Sequence, residues 1–331
     1  MSRGSSDLED AGLRIADAHP SGRSLVVTVD FEAFRPASMP QWRAAMSAWA
    51  EEAAARTLPT VFFVSVEHVL RLRAADPQAH SDLIDGLREL VRGGAELQAH
   101  NHCAFDEQTG APLRDGEIAA HVPGYEKRPS MFYDVVRHNG IPIDEWIPRV
   151  VASLGRLRAE AGQPEAPIAF RPGGWDSGGN ASEIAAYVAA LAGSGVTYDS
   201  SASHGDYGSR SWRVGLPFER NVFVLRGGVV EVATTSAWNY GSRRQEARAL
   251  FRVLAQPQAY LPPTREGVLV PTLHFDHLVR PTESPRAAAD RAARVVRTLA
   301  RGATVLRLTP RTFGMLQFHE RGGAEEAARG G

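Results

Sequence analysis

Asp30, His100, Arg171, Asp199 and His274 each stand just past the end of a short apolar run that reads as a buried strand. In parallel α/β folds all strand C-termini open on one face, and ligands bind there. Such a fold would gather these side chains although no local motif does. Asp30 is followed by Glu32, and on an extended backbone the two carboxylates point the same way. Two neighbouring acids suit a division of labour between metal ligand and general base; a turn acid plus a helix N-terminal acid is the plainer alternative. His100 and His102 are separated by one residue, a spacing at which two imidazoles can chelate one cation from one side. Oxygen and imidazole donors together suit zinc first, with Co2+, Ni2+, Fe2+ or Mn2+ as alternatives.

Further along, Arg171 opens Arg-Pro-Gly-Gly-Trp. A guanidinium at a strand end can orient a carboxylate or hold a substrate oxygen, and Trp175 can stack on a sugar ring or pack inside. Asp199 can pair with Arg171, hold a histidine in one tautomer, or cap a helix. His274 ends an apolar run. With an unperturbed pKa of about 6.5 it is a candidate general acid.

The elements that must position these groups alternate. Residues 24–30, 60–64, 95–99, 168–171, 196–199, 229–233, 268–274 and 304–307 read as strands. Residues 42–57, 82–92, 146–161, 182–192, 245–254 and 285–301 read as helices, with Gly93-Gly94 closing the second. This pattern predicts one α/β domain with a parallel sheet, closed or open. The segment 103–145 is too long for a simple connection and reads as a functional loop or lid. Tyr207 and Trp212, in the irregular stretch 203–217, are candidate substrate contacts. The first 22 residues read as a disordered leader, 23–316 as the folded domain and 317–331 as a disordered tail.

Composition excludes several classes. The chain has 331 residues, 43% of them hydrophobic, enough for a full core. With 37 basic and 38 acidic residues the formal net charge is −1, so no global attraction to nucleic acid or to an anionic membrane follows. Cys103 is the single cysteine, which rules out an internal disulfide and a cysteine-built zinc site. The first 20 residues lack the apolar stretch of a signal peptide. No run reaches the roughly 18 apolar residues of a membrane span. The expected location is cytoplasmic.

The order of the pieces resembles a known family. A strand ending in Asp30, then Thr60-Val61-Phe62-Phe63-Val64, Gly94-Ala95-Glu96-Leu97 with histidines, Arg171-Pro172-Gly173-Gly174, Tyr198-Asp199-Ser200 and Leu273-His274 resemble the polysaccharide deacetylases (NodB-homology, carbohydrate esterase family 4). The resemblance runs from about residue 24 to 308. It implies a distorted (β/α)7-type barrel in a single domain, with a divalent metal held by one acid and two histidines. Asp30 resembles the family's catalytic base, Arg171 its base-orienting arginine and His274 its general acid. Asp199 resembles the carboxylate that tunes that histidine. Phe31 stands where the usual first motif has a second aspartate, so Glu32 is the expected metal acid. The usual second motif has histidines four apart, but position 104 is Ala, so His100 and His102 are the expected ligands. The activity implied is removal of an acetyl or other small acyl group from an N-acylated sugar or small amide. Another C–N or glycosidic hydrolase on the same scaffold, or a non-catalytic glycan-binding barrel, are the alternatives.

Overall fold

The computed structural model describes residues 13–20, 23–32, 38–102, 142–163, 165–178, 180–202, 222–234, 236–238, 267–279, 283–301, 303–308 and 316–320. The strands in chain order are β1 (Arg14–Pro20), β2 (Arg23–Leu25), β3 (Val27–Phe31), β4 (Thr60–Ser65), β5 (Glu96–Asn101), β6 (Ile168–Pro172) and β7 (Val196–Asp199). They continue as β8 (Val222–Leu225), β9 (Val230–Val232), β10 (Ser236–Trp238), β11 (Gly267–Leu269), β12 (Pro271–His274), β13 (Thr304–Val305) and β14 (Leu316–Glu320). The helices are α1 (Met39–Ala55), α2 (Val66–Ala75), α3 (Pro77–Arg92), α4 (Ile143–Ala161), α5 (Ala181–Gly193) and α6 (Pro285–Leu299).

The large sheet runs β10-β12-β3-β4-β5-β6-β7-β9-β8-β1-β14. From β10 to β9 every pairing is parallel; β8, β1 and β14 add an antiparallel flank. A small sheet, β11-β2-β13, is also parallel. Strict alternation sorts the cores. On β3, Val27, Val29 and Phe31 join an outer cluster with Trp42, Met46 and Trp49 of α1 and Leu83 and Leu87 of α3. A second outer cluster packs α4 and α5 on β5 and β6 through Trp146, Leu154, Tyr187, Leu191, Ala99 and Phe170. Val61, Phe63, Ala169, Tyr198, Val222 and Val230 form a separate inner cluster with Val268 and Leu306. Inner faces of β4, β6, β7, β8 and β9 meet only if the sheet curls. The barrel-type α/β layering is therefore present, although among the described residues β10 and β14, the ends of the order, do not pair with each other.

Local chemistry explains the helices. Trp42, Ala45, Met46, Trp49 and Ala53 fall on one face of α1 and are buried. Asp76 caps α3, accepting from Ala79 N at 3.0 Å, and Pro77 occupies its first turn. Gly86 lets α3 lie against α1: a Cβ there would come within 2.2 Å of Met46 Cε.

The structure differs from the sequence reading at both ends. Arg14–Pro20 is a strand inside the expected leader, and Leu316–Glu320 is a strand at the start of the expected tail. The two pair with each other, and β1 also pairs with β8. Neither carries a β-branched run; their order comes from backbone bonds to distant partners, which composition does not show. The single strands expected at 24–30 and 268–274 are each two, broken at Val26 and Val270 between the two sheets. In the first run Leu25, Val26 and Val27 continue without a marker; in the second Pro271 stands at the break, the one local signal of it. Helix α2 was not expected. The loop 103–141, most of the expected lid, and the helix expected at 245–254 lie outside the described residues.

Candidate metal centre

Strand β3 delivers the two acids. Thr28 and Asp30 point away from the outer core and are buried, and Glu32 follows on the same side. Parallel register brings the other groups alongside: His274 is the Cα partner of Asp30 on β12, and His100 on β5 is that of Arg171 on β6. The ends of β12, β3, β5 and β6, with β4 between the two pairs, thus place their polar residues on one face.

Glu32, His100 and His102 each offer one ligand atom, and these atoms lie within 4.8 Å of one another. Glu32 Oε2 is 2.7 Å from His102 Nε2 and 3.3 Å from His100 Nε2. His100 Nδ1 is 2.8 Å from the carbonyl oxygen of Arg171. A carbonyl only accepts, so Nδ1 carries the hydrogen and Nε2 presents a bare lone pair to the carboxylate. That Nε2 is buried with no hydrogen-bond partner. With the ring neutral, this lone pair and the Glu32 carboxylate are donor atoms that could hold a cation between them. Zinc bonds of about 2.0–2.1 Å set tetrahedral ligand atoms roughly 3.3 Å apart; the Glu32–His100 pair has that spacing and the Glu32–His102 pair is closer. Burial works to raise the Glu32 pKa, but His102, His100 and His274 hold it well below the usual range. Gly173 makes room for the second imidazole: a Cβ there would lie 2.3 Å from His102 Nδ1.

Beside this cluster, Arg171 is fully buried, with its guanidinium 4.0 Å over the Phe63 ring. Its Nη1 donates to Asp30 Oδ1 at 2.6 Å, and its Nη2 faces Thr28, Ser200 and Thr234 hydroxyls at 3.1, 2.9 and 3.4 Å. Burial alone would raise the Asp30 pKa; Arg171, His100 and His274 together outweigh it and keep the carboxyl below its ordinary value. His274 bridges the two acids, Nε2 lying 3.9 Å from Asp30 Oδ2 and Nδ1 3.5 Å from Glu32 Oε1. Burial pulls its pKa down, but Glu32 and Asp30 raise it to about 9. A cation on Glu32 would weaken that pull.

The structure brings Asp30, Glu32, His100, His102, Arg171 and His274 together. Two residues go elsewhere. Asp199 accepts from Tyr187 Oη at 2.8 Å and Ser201 Oγ at 2.6 Å, while the acids in ion-pair contact with His274 are Asp30 and Glu32. The hydrogen bonds given for Asp199 thus run to Tyr187 and Ser201. Trp175 is 9% exposed and donates to Thr234 Oγ1 at 3.3 Å, which leaves little ring face for a sugar. Tyr207 and Trp212 lie outside the described residues. Sequence reasoning missed Ser200 and Thr234 as arginine acceptors, and Glu231, which shares Ser201 with Asp199. Glu231 had a signal: an acid in the middle of the apolar run Val229–Ala233 must be buried with partners.

No protein-family model and no curated protein matches the chain. Solved structures do. A Mycobacterium smegmatis protein described as a polysaccharide deacetylase aligns at 15% identity over 89% of this chain and 90% of its own, with a TM-score of 0.48. A family 4 carbohydrate esterase from Streptomyces lividans, in complex with acetate, aligns at 13% identity over 88% and 95%, with a TM-score of 0.40. A family 4 carbohydrate esterase from Bacillus anthracis aligns at 11% identity over 90% and 86%, with a TM-score of 0.35. These are members of the family that the motif order resembles.

Proposed function

We propose that this chain is a metal-dependent amide hydrolase that removes an acetyl or other small acyl group from an N-acylated sugar or small amide. The observation that carries the reading is the meeting of Glu32, His100 and His102 within 4.8 Å, next to an Asp30 paired with Arg171 and held below its ordinary pKa. Glu32, His100 and His102 would hold a divalent cation, zinc first, whose Lewis acidity activates an amide carbonyl and the attacking water. Asp30 takes the water proton through Oδ2, because Oδ1 is occupied by Arg171. Arg171 is fixed by three hydroxyls and by Phe63, so it holds the base in one orientation. His274, which faces both Asp30 and Glu32, would deliver a proton to the leaving amine. The substrate is then a glycan or small molecule bearing an N-acyl group, with Tyr207 and Trp212 as aromatic contacts. No described helix is long and apolar enough to cross a membrane.

Elemental mass spectrometry and acetate release from N-acetylated sugars test this together on wild type, Asp30→Asn and His100→Ala/His102→Ala. The expected result is stoichiometric transition metal in wild type, lost with activity in the double variant. Asp30→Asn keeps the metal and loses about 10²–10⁴ in turnover, the range for a general base. A wild-type protein that takes up no zinc, cobalt or nickel overturns the reading, as does Asp30→Asn with wild-type turnover.

A further inference from the structure

Behind Arg171 lies a second buried acidic pair that the chemistry above does not use. Asp199 and Glu231 are Cα partners on the adjacent strands β7 and β9, and both are fully buried. Tyr187 Oη donates to Asp199 Oδ1 at 2.8 Å, and Ala202 N donates to Glu231 Oε1 at 3.0 Å. Ser201 Oγ lies 2.6 Å from Asp199 Oδ2 and 3.2 Å from Glu231 Oε2. A hydroxyl has one hydrogen to give, and ionised carboxylates only accept. The shorter contact takes the Ser201 hydrogen, so the longer one needs a proton on Glu231. Asp199, with two hydroxyl donors, is then the anion and Glu231 the neutral acid. Burial pushes both carboxyls up, Asp199 to about 6, and the Asp199 charge drives Glu231 well above its ordinary value. The other titratable group facing the pair is Tyr187 from α5, whose pKa burial and Asp199 raise further, so it stays neutral. The Arg171 charge on β6 is one hydroxyl away, through Ser200.

The chain segments tied by this pair are the ones that hold Arg171. Ser200 Oγ donates to Val232 O at 3.0 Å and accepts from Arg171 Nη2 at 2.9 Å. Thr234 N donates to Ala202 O at 2.9 Å, and Thr234 Oγ1 accepts from Arg171 Nη2 at 3.4 Å. Residues 200–202 and 231–234 thus form two short walls beside the guanidinium, and Glu231–Ser201–Asp199 braces them. We propose that Glu231 is a positioning residue: as a neutral acid it hydrogen-bonds Ser201 and, through it, Asp199, which fixes Ser200 and Thr234 against Arg171. The contacts at Ser201 call for one proton on the pair, and the added Tyr187 donor to Asp199 favours Glu231 as its holder; the effect on turnover rests on the hydrolase reading above.

Infrared spectra of the full chain at neutral pH, in H2O and D2O, test the proton. Burial lifts the Glu96 carboxyl to about 7, which would add a band of its own, so both chains carry Glu96→Gln. With Glu231 present the chain is expected to show the carbonyl band of a buried carboxylic acid, and with Glu231→Gln to lack it; absence of the band in the first, or its persistence in the second, overturns the assignment. Urea unfolding across neutral and alkaline pH gives a second reading. A carboxyl whose folded pKa is raised stabilises fully below its ordinary pKa and loses that stabilisation as pH rises through the folded value. His274, raised to about 9, weakens both chains at alkaline pH, so wild type should fall more steeply than Glu231→Gln; equal slopes overturn the proposal. For positioning, Glu231→Gln should keep the wild-type kcat, whereas Glu231→Leu, which cannot hydrogen-bond, should lower kcat with KM unchanged. A Gln variant as impaired as the Leu variant counts against it. If no acyl substrate is turned over at all, the hydrolase reading fails, and the infrared and urea results still decide the proton.

Discussion

At the scale of single residues, the site depends on what a side chain lacks as much as on what it carries. Asp30, Glu32, His100, His102, Arg171 and His274 could be picked out because ionisable groups past apolar strand ends are costly unless used. The role of Gly173 could not be read there, because the contact that demands a missing Cβ comes from His102, far away in sequence. Gly173→Ala should push the imidazole out of line and weaken metal affinity by about 10–100-fold, the usual effect of disturbing a ligand's support. Competition titration against a metallochromic chelator measures this; unchanged affinity would show that His102 is not a ligand. Asp199 and Trp175 mark the opposite case. Their types fitted a tuning acid and a sugar platform, yet burial gave one to Tyr187 and Ser201 and the other to Thr234.

At the scale of elements, the same strands carry the chemistry on one face and the outer core on the other. Phe31, Phe62 and Phe275 pack with ring centroids 4.8–5.8 Å apart, directly behind Asp30 and His274 in the chain. Phe62→Ala should cost about 3–5 kcal/mol, the range for a fully buried aromatic, because this cluster pins β3, β4 and the turn after β12. Urea denaturation would show it as a lower midpoint with little change in slope; a loss under about 1 kcal/mol would mean that the cluster relaxes into the gap. Most of these strands and five of the helices were legible because apolar periodicity survives in sequence. β1, β8, β10 and β14 were not, since strands on the sheet's flanks draw their order from partners elsewhere in the chain.

At the scale of the molecule, the inner core holds a second ionisable network. Glu96 on β5 is 6% exposed and accepts from Gln98 Nε2 at 2.6 Å, and Gln98 Oε1 accepts from Arg158 Nη2 at 2.6 Å. Burial raises the Glu96 pKa to about 7, against the pull of Gln98 and Arg158. Its stabilising contribution is therefore complete below the ordinary carboxyl range and is lost as pH climbs through about 7. Glu96→Gln should flatten that part of the stability profile, leaving the alkaline fall assigned to Glu231; equal profiles in calorimetry would place the Glu96 pKa at its ordinary value. By itself the sequence determined the alternation of strands and helices, the likeness of motif order, and which ionisable residues end strands, because these are local patterns of type and spacing. Only the tertiary structure decided which of them meet. Strand order, register and the curl of the sheet set distances between residues 30, 100, 171, 231 and 274, and those distances choose the partner that fixes each group's charge.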